Sequence, residues 1–317
     1  MVGEVVFAKS PAVAYGGAWT HSADAGYLYS HSGIRRAGRR GGSSFWLASR
    51  AVISLGESDA DPFAHFIWIR NGEGTNTITV YPKHTRISHD HGWLQSNFSF
   101  SFGEDFDERN AKFGPMRVCN DDTVAPRRGF GAHPHADMEI VSVVLSGKLR
   151  HEDSLGNVAV TGFGEVQRMS AGTGVIHTEA NPSDDEPVNL LQMWFEPSRP
   201  GLPPSYETSS FDPSALTGRL VPIVSPEGGP SAAKIHQDTT IYLSRLPAGE
   251  AIEFLQGMDR RSFLFVIEGS LYAANAGDPT ETATLRTRDT ARITETPHLK
   301  FTTAGEEEAF FLLIDLP

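Results

Sequence analysis

From residue 77 onward, short runs of β-branched and aromatic residues alternate with Gly, Pro, Asn and Asp. Runs of this length bounded by turn-forming residues are typical of β-strands. Apolar residues with the spacing of an amphipathic helix are scarce in the same part of the chain. The sequence therefore predicts an all-β protein, with strands in segments such as 77–81, 139–145, 188–195, 240–243, 262–267 and 309–314.

A proline-rich segment divides this β-type sequence near its middle. Residues 197–204 contain four prolines in eight positions, a composition that favours an extended linker. On either side, a strand, a glycine turn and a second strand recur with similar lengths, over residues 143–149 and 265–271. We therefore predict a duplicated β-barrel or jelly roll, with one domain over residues 78–200 and another over residues 201–317.

The first 77 residues differ from the rest in charge and composition. Residues 1–56 have six basic side chains against two acidic ones, and their Gly, Ser and Ala runs show no sustained helical or strand period. This composition predicts a disordered or non-core extension over residues 1–77. Its Arg- and Ser-rich, acid-poor character is also similar to that of an organelle transit peptide. A third interpretation is sequence placed before the true start of the gene.

The remaining composition excludes several classes of protein. A formal net charge of −12 opposes general binding to nucleic acid. The longest apolar stretch, residues 309–314, is far shorter than the roughly 18 residues of a membrane-spanning helix. Because Cys119 is the single cysteine, neither an intrachain disulfide nor a thiolate metal cluster can form. A reducing, cytoplasmic location is therefore expected, and any metal ligands must come from His, Asp or Glu.

Two short motifs place potential metal ligands at alternate positions. They are His133-Pro-His135 and His177-Thr-Glu179. On an extended strand, side chains at positions i and i+2 point to the same face, so each motif presents two donor groups in one direction. Two such strands side by side would bring three imidazoles and one carboxylate together. This donor set suits a divalent first-row metal with positions left open for water or substrate.

Other histidines and acids have plainer interpretations. Glu139, four residues after His135, is a candidate ligand, a partner for an imidazole N–H or a surface acid, and we favour a structural or supporting role. His89 and His91 also have i, i+2 spacing, but they are expected in a loop at a pocket rim. Ordinary packing is expected for His151, His236 and His298, and burial for Cys119.

Around these motifs the sequence resembles the pirin family of the cupin superfamily, most closely its short bacterial members with quercetin dioxygenase activity. The matching segments are residues 129–140, 151–157 and 166–179. A thinner likeness extends from about residue 80 to the C terminus. The resemblance implies a bicupin fold, in which two cupin β-barrels follow an irregular N-terminal extension.

The resemblance also implies one metal ion in the N-terminal barrel, held at the positions that match His133, His135, His177 and Glu179. The C-terminal barrel of such proteins usually has no metal. The general cupin pattern takes its glutamate ligand from a position near Glu139, so the assignment of Glu179 depends on the likeness to pirins. Fe is the expected divalent ion, with Cu, Ni, Mn and Zn as alternatives.

For activity, the resemblance implies a metal-dependent dioxygenase that cleaves a flavonol such as quercetin with O2, with Glu179 as the catalytic proton acceptor. The partners of such an enzyme are its small-molecule substrate and O2, and neither nucleic acid nor a membrane. One alternative is a non-enzymatic, redox-sensitive regulator that acts through a protein partner. Another is a cupin that acts on a different small molecule.

Overall fold

The computed structural model divides the chain into two units, residues 1–75 and residues 76–317. It describes residues 77–317, except for the side chain of Pro279. The extension predicted over residues 1–77 therefore lies, but for Thr77, outside the described residues. In the described part, the secondary structure consists of 22 strands and three short 3-10 helices, which confirms the all-β prediction.

No helix in the described part of the chain is both long enough and apolar enough to cross a membrane. The three 3-10 helices are Lys83–Thr85, Glu108–Asn110 and Pro213–Leu216.

The first half of the described chain supplies twelve strands. In chain order they are β1 Ile78–Tyr81, β2 Ile87–Asp90, β3 Leu94–Phe98, β4 Met116–Val124, β5 Gly129–His135, β6 Glu139–Ser146, β7 Lys148–Asp153, β8 Val158–Gly162, β9 Glu165–Ser170, β10 Val175–Ala180, β11 Val188–Phe195 and β12 Ser205–Ser210. Seven of them form a large sheet in the order β12-β9-β6-β11-β4-β3-β2, and four form a small sheet in the order β5-β10-β7-β8. All of the pairings within these two sheets are antiparallel.

The second half repeats this arrangement. Its strands are β13 Val221–Ser225, β14 Ala233–Lys234, β15 Thr240–Leu246, β16 Ala251–Leu255, β17 Arg261–Glu268, β18 Ser270–Asn275, β19 Asp278–Arg286, β20 Thr290–Thr294, β21 His298–Thr303 and β22 Ala309–Leu316. The large sheet has the order β14-β13-β15-β22-β17-β20-β1, and the small sheet has the order β16-β21-β18-β19. Each large sheet faces its own small sheet, so the predicted duplication of a β-barrel is present.

The two barrels exchange strands at their ends. Strand β1 precedes the first barrel in sequence but pairs with β20 in the second barrel's large sheet. Strand β12 follows residue 200 but pairs with β9 in the first barrel. Hydrogen bonding therefore crosses the predicted division into residues 78–200 and 201–317. The division of the chain into two separate domains at residue 200 stays a prediction.

The largest apolar core lies between the two large sheets, which pack back to back. Val143, Leu191 and Phe195 of the first barrel belong to the same buried cluster as Phe265 and Leu312 of the second. Central strands of these sheets are therefore buried on both faces. This explains why β6 and β22 are almost continuously apolar in sequence instead of alternating with polar residues.

The interiors of the two barrels differ in chemistry. In the second barrel, Leu264, Phe301 and Phe311 are among the apolar side chains that fill the space between the sheets. In the first barrel, a polar row crosses the large sheet at directly paired positions, formed by Asn120, Gln192, Ser142 and Gln167. The middle of the face that the first barrel's large sheet turns to its small sheet is therefore polar, and apolar clusters lie beside this row.

Candidate metal centre

Two neighbouring strands of the first barrel's small sheet carry the two His motifs. His133 and His135 lie on β5, His177 and Glu179 lie on β10, and His133 is directly opposite His177. Because β5 is an edge strand, Pro134 can occupy it despite having no backbone N–H to donate. Alternation along both strands turns the ligand-type side chains inward, as the i, i+2 spacing predicts.

Glycines allow the close approach of these strands. Gly129 is paired with Ala180, and a Cβ at residue 129 would overlap the carbonyl oxygen of Glu179 and the Cα of Ala180. In the turn before β10, Gly172 has a φ of +47°, a region that favours glycine. A bulge between Phe130 and His133 then adjusts the register, so that His133 lies opposite His177.

The three imidazoles lie in mutual contact. Their ring centroids are 4.4 Å apart for His133 and His177, 4.8 Å for His133 and His135, and 5.0 Å for His135 and His177. The Nε2 atoms of His133 and His177 are 3.0 Å apart. Metal–nitrogen bonds of about 2.0–2.1 Å place two ligand nitrogens on one ion about 3 Å apart, so this separation suits shared coordination.

Two details show that the imidazole nitrogens are prepared for a ligand. His133 places Nδ1 2.7 Å from the carbonyl oxygen of Gly131, where a protonated Nδ1 donates and leaves Nε2 with its lone pair free. Nε2 of His135 is buried and has no hydrogen-bond partner. An unpaired buried polar atom is costly, and an ion bound at this point would satisfy it. The three residues therefore fit a divalent metal.

Two of the imidazoles, those of His135 and His177, are held in their neutral form. Burial, together with the neighbouring His133, lowers the pKa of His135 to about 4. Burial and the nearby His133, His135 and His151 lower the pKa of His177 to about 3. Neutral imidazole is the form that coordinates a metal, so protons compete little for these nitrogens at neutral pH.

Glu179 is buried on the same strand, but it belongs to a second group of donors. His133, His135 and His177 form one group in which the ligand atoms lie within 4.8 Å of one another, and His151, His177 and Glu179 form another. His177 is common to both groups. The four predicted ligands are thus neighbours, although they do not all fall in one group, and their role as ligands stays a prediction.

Two amides hold the Glu179 carboxylate in place. Nε2 of Gln167 donates to Oε1 of Glu179 at 2.6 Å, and Nε2 of Gln192 donates to Oε2 at 2.6 Å. The two amides are themselves oriented, because Tyr206 Oη donates to the Gln167 oxygen at 3.2 Å and Trp194 Nε1 donates to the Gln192 oxygen at 3.1 Å. Burial raises the pKa of Glu179, while the donors oppose this effect.

The site opens to the outside next to His135. His133 and His135 are half-buried, whereas His177, Glu179 and His151 are at most 2% exposed. A depression of about 580 Å³ lies at this edge, lined by Pro134, His135, Ala136, Ser154, Gly174, Val175 and Ile176. Trp194 packs against His135 with 4.8 Å between ring centroids, and Phe102 packs against Trp194 at 5.4 Å. Aromatic rings therefore border the imidazole group.

Other residues singled out in the sequence lie elsewhere. Glu139 points toward the second barrel, where its carboxylate accepts hydrogen bonds from Ser170 Oγ at 2.8 Å and from the backbone N–H of His236 at 3.1 Å. This agrees with a structural role and separates Glu139 from both donor groups. His89 is 2.6 Å from Asp105, and it lies on β2 and not in the expected loop.

Two further residues, His298 and Cys119, have the ordinary surroundings that the sequence predicts. His298 contacts Glu253 at 2.9 Å in the second barrel, and Cys119 is buried, as expected.

His151 is expected to be an ordinary packing residue, and the structure adds contacts with the imidazole group to that packing. Its ring is fully buried, its Nδ1 is 3.4 Å from Nδ1 of His177, and its Nε2 is 3.0 Å from Asp153. It lies on β7, directly opposite Glu179 on β10. The sequence signal that points to it is a third i, i+2 pair, His151-Glu-Asp153, on β7.

A hairpin joins β7 to β8, and in it Asp153 accepts hydrogen bonds from the backbone N–H groups of Leu155 and Asn157. Burial acts to raise the pKa of Asp153, but the hydrogen bonds from His151, Asn157 and Leu155 lower it overall, so it is a carboxylate.

Comparison with known proteins agrees with this architecture. Residues 80–195 match the Pirin family, and residues 222–316 match the family described as Quercetinase C-terminal cupin domain. The Escherichia coli (strain K12) protein named Quercetin 2,3-dioxygenase is 40% identical over 181 residues, which are 57% of this chain and 77% of that protein. A Pirin-like protein from Caulobacter vibrioides is 39% identical over 181 residues, which are 57% of this chain and 78% of that protein.

Solved structures show the same relationship. The bacterial pirin YhhW of Escherichia coli in complex with nickel(II) aligns with a TM-score of 0.69 and 33% identity, over 76% of this chain and 99% of that one. Quercetin 2,3-dioxygenase from Acinetobacter baumannii aligns with a TM-score of 0.59 and 21% identity, over 75% of this chain and 85% of that one, and it supports the fold alone. On the sequence matches and the two-barrel fold together, this chain belongs to the pirin family.

Proposed function

We propose that this chain is a metal-dependent dioxygenase that cleaves a flavonol such as quercetin with O2. The observation that carries the proposal is the convergence of His133, His135 and His177, with the buried Nε2 of His135 left unpaired. A relative at 40% identity that is named Quercetin 2,3-dioxygenase supports an oxidoreductase.

In this proposal His133, His135 and His177 hold one divalent ion, and Glu179 completes the site as a fourth ligand or as a base beside it. Imidazole nitrogen suits Fe, Cu, Ni and Zn alike, and we propose Fe as the ion. A related structure contains nickel(II). The donor set therefore supports a first-row divalent metal.

When bound, the ion would stabilise the anion of the flavonol 3-hydroxyl group and so reduce the cost of its ionisation. Glu179 would accept the hydroxyl proton at a carboxylate oxygen. Burial raises the pKa of Glu179, which makes it a stronger base than an exposed carboxylate. A carboxylate has about four acceptor positions, so the amides of Gln167 and Gln192 leave room for that proton.

The aromatic border of the site supports a planar aromatic substrate. Trp194 and Phe102 pack edge to face, with Trp194 also edge-on to His135. Aromatic side chains bind flat rings through stacked or edge-to-face contacts. A flavonol seated beside Trp194 would therefore have its oxygens near the imidazole group.

A direct test uses purified protein loaded separately with Fe, Cu, Ni or Mn and mixed with quercetin under O2. The visible absorbance of quercetin and the concentration of dissolved oxygen are followed together. We expect both to fall in at least one metal form, and to remain constant in His177→Ala. The His89→Ala variant is a matched control, because His89 is paired with Asp105 away from the site.

The alternatives give different results in this assay. If no metal form consumes quercetin and oxygen, the dioxygenase proposal is wrong. Metal retained without turnover would favour a regulator, and a protein partner whose binding depends on the oxidation state of the metal would support that interpretation. Turnover of another small molecule, with quercetin inert, would favour a cupin of different specificity.

A further inference from the structure

A chain of three side chains leads from the imidazole group into the barrel. Nδ1 of His177 is 3.4 Å from Nδ1 of His151, and Nε2 of His151 is 3.0 Å from Oδ2 of Asp153. His151 and Asp153 are alternate residues of β7, which pairs with β10 beside His177. None of the three side chains is more than 8% exposed, so their hydrogen-bond partners must come from the protein itself.

The chemistry of these groups fixes the direction of every hydrogen bond. An ionised carboxylate can only accept, so Nε2 of His151 must carry the proton that is donated to Asp153. When Nε2 carries the single proton of the His151 ring, Nδ1 is an acceptor. Nδ1 of His177 must therefore donate to it, which leaves the lone pair of His177 on Nε2, the atom that faces His133.

Asp153 can fix the direction of these hydrogen bonds because the hairpin determines the position of its carboxylate. Oδ1 accepts from the backbone N–H of Leu155 at 2.9 Å, the backbone N–H of Asn157 at 3.0 Å and the Asn157 side chain at 3.1 Å. Oδ2 accepts from the Asn157 side chain at 2.9 Å as well as from His151. The carboxylate therefore cannot rotate away from His151 without losing backbone hydrogen bonds.

His151 is fixed from its flat side as well. Its ring stacks on Tyr206 with 4.2 Å between centroids and 14° between planes. Both ring nitrogens of His151 have partners, in contrast to the unpaired Nε2 of His135. The half-buried side of the imidazole group is at His133 and His135, where a substrate can enter, and not at the fully buried His151.

We propose that His151 and Asp153 are positioning residues that set the tautomer and orientation of His177 for metal binding. The inference deepens the proposed metal centre and rests on it. His151 carries its proton on Nε2 and accepts the hydrogen bond from His177 at Nδ1, which leaves Nε2 of His177 free to bind the metal. Residues that orient a metal-binding histidine in this way usually affect metal affinity about 10- to 100-fold.

The Asp153→Asn variant tests the direction of the hydrogen bonds that join His177, His151 and Asp153. The three donors around Oδ1 keep the amide oxygen of the substituted side chain at that position, so its NH2 group faces His151. Nε2 of His151 must then accept, its proton moves to Nδ1, and His177 is forced to carry its own proton on Nε2. We expect nickel(II) affinity to fall about 10- to 100-fold.

Three comparisons accompany this variant. Asp212→Asn is the matched control, because Asp212 also accepts a backbone N–H in a turn but contacts no histidine in the described part of the chain. His151→Gln retains one donor and one acceptor and should bind nickel(II) more tightly than His151→Phe. Thermal unfolding of the metal-free proteins shows whether each variant is folded.

Tautomers are read directly by ¹⁵N NMR of metal-free protein labelled at histidine, with the His177 signals assigned by their loss in His177→Ala. We expect the Nδ1–H tautomer of His177 in the wild type and the Nε2–H tautomer in Asp153→Asn. An Nε2–H tautomer in the wild type, or unchanged affinity in a folded Asp153→Asn, would overturn the proposal. Should Asp153→Asn not fold, equal affinity of His151→Gln and His151→Phe would overturn it.

Copper(II) EPR separates positioning from coordination. Loss of one nitrogen coupling in His151→Phe would identify His151 as a ligand and overturn the proposal, whereas an unchanged number of nitrogens supports it. Failure of the wild-type protein to bind any metal would remove the proposed function. The NMR result on metal-free protein would still decide which ring nitrogen of His177 carries the proton.

Discussion

His133 and His177 occupy directly opposed positions on two antiparallel strands, and their Nε2 atoms lie 3.0 Å apart. In this arrangement the backbone pairing of β5 and β10 determines the separation of the donor atoms. A change that shifts either strand should therefore disturb metal binding even when no ligand is altered.

Removal of either opposed imidazole should abolish metal retention. We expect His133→Ala and His177→Ala to be purified without metal, because each removes one of the three nitrogens that converge. His89→Ala should retain nearly the wild-type amount, since His89 contacts Asp105 instead. Elemental analysis of the three variants checks this, and the opposite pattern would show that the wrong histidine pair has been chosen.

Gly129→Ala should impair both stability and metal binding. A Cβ at residue 129 overlaps the backbone of Glu179 and Ala180, so β10 must move. Such overpacking typically costs about 1–3 kcal/mol in the free energy of unfolding. Gly131→Ala is the matched control on the same strand, because a Cβ there meets no atom within 4 Å. Urea denaturation and metal content measure both effects, and equal behaviour of the two variants would contradict the account.

Gln192→Leu should destabilise the metal-free protein. The change removes the amide that donates to Glu179 Oε2 and the oxygen that accepts from Trp194. A buried polar group left without a partner costs about 1–3 kcal/mol, and a charged group costs more. The exposed Gln95→Leu is the control and should change stability by less than about 0.5 kcal/mol. Denaturation curves showing equal losses would contradict the proposed clamp on Glu179.

Asp122→Asn should change how stability depends on pH. Burial, with a smaller contribution from the charges of Asp121 and Glu179, raises the pKa of Asp122 to about 7 against the opposing hydrogen bond from Ser96. An unfolded aspartate releases its proton near pH 4. Between about pH 4 and pH 7 the folded protein therefore binds more protons, and this residue makes the free energy of unfolding fall as pH rises.

The amide introduced by Asp122→Asn stays neutral, so the variant should gain stability relative to the wild type as pH rises from 5 to 8, by at most about 1.4 kcal/mol per pH unit. Urea denaturation of both proteins without metal at these two pH values measures the difference. A difference that is the same at pH 5 and pH 8 would show that Asp122 does not titrate in this window.

The same-face arrangement of His133 with His135, and of His177 with Glu179, is predictable because strand alternation is a local property of the sequence. The all-β class follows from equally local patterns of apolar residues and turns. These features require no knowledge of which strands are neighbours.

Strand alternation also places His151 and Asp153 on one face, but the contact of His151 with His177 depends on the pairing of β7 with β10, which the sequence does not specify. The same holds for Glu139, whose partner His236 is 97 residues away in the second barrel's sequence. The crossing of β1 into the second barrel depends likewise on long-range pairing with β20. Local patterns thus predict the strands and the ligand types, whereas tertiary pairing determines their partners.

The most direct test of the metal centre is anomalous X-ray diffraction from crystals of the metal-loaded protein. The account predicts a single anomalous peak in contact with the Nε2 atoms of His133, His135 and His177. A peak between His151 and His177, or no peak beside these histidines in protein that retains metal, would contradict it.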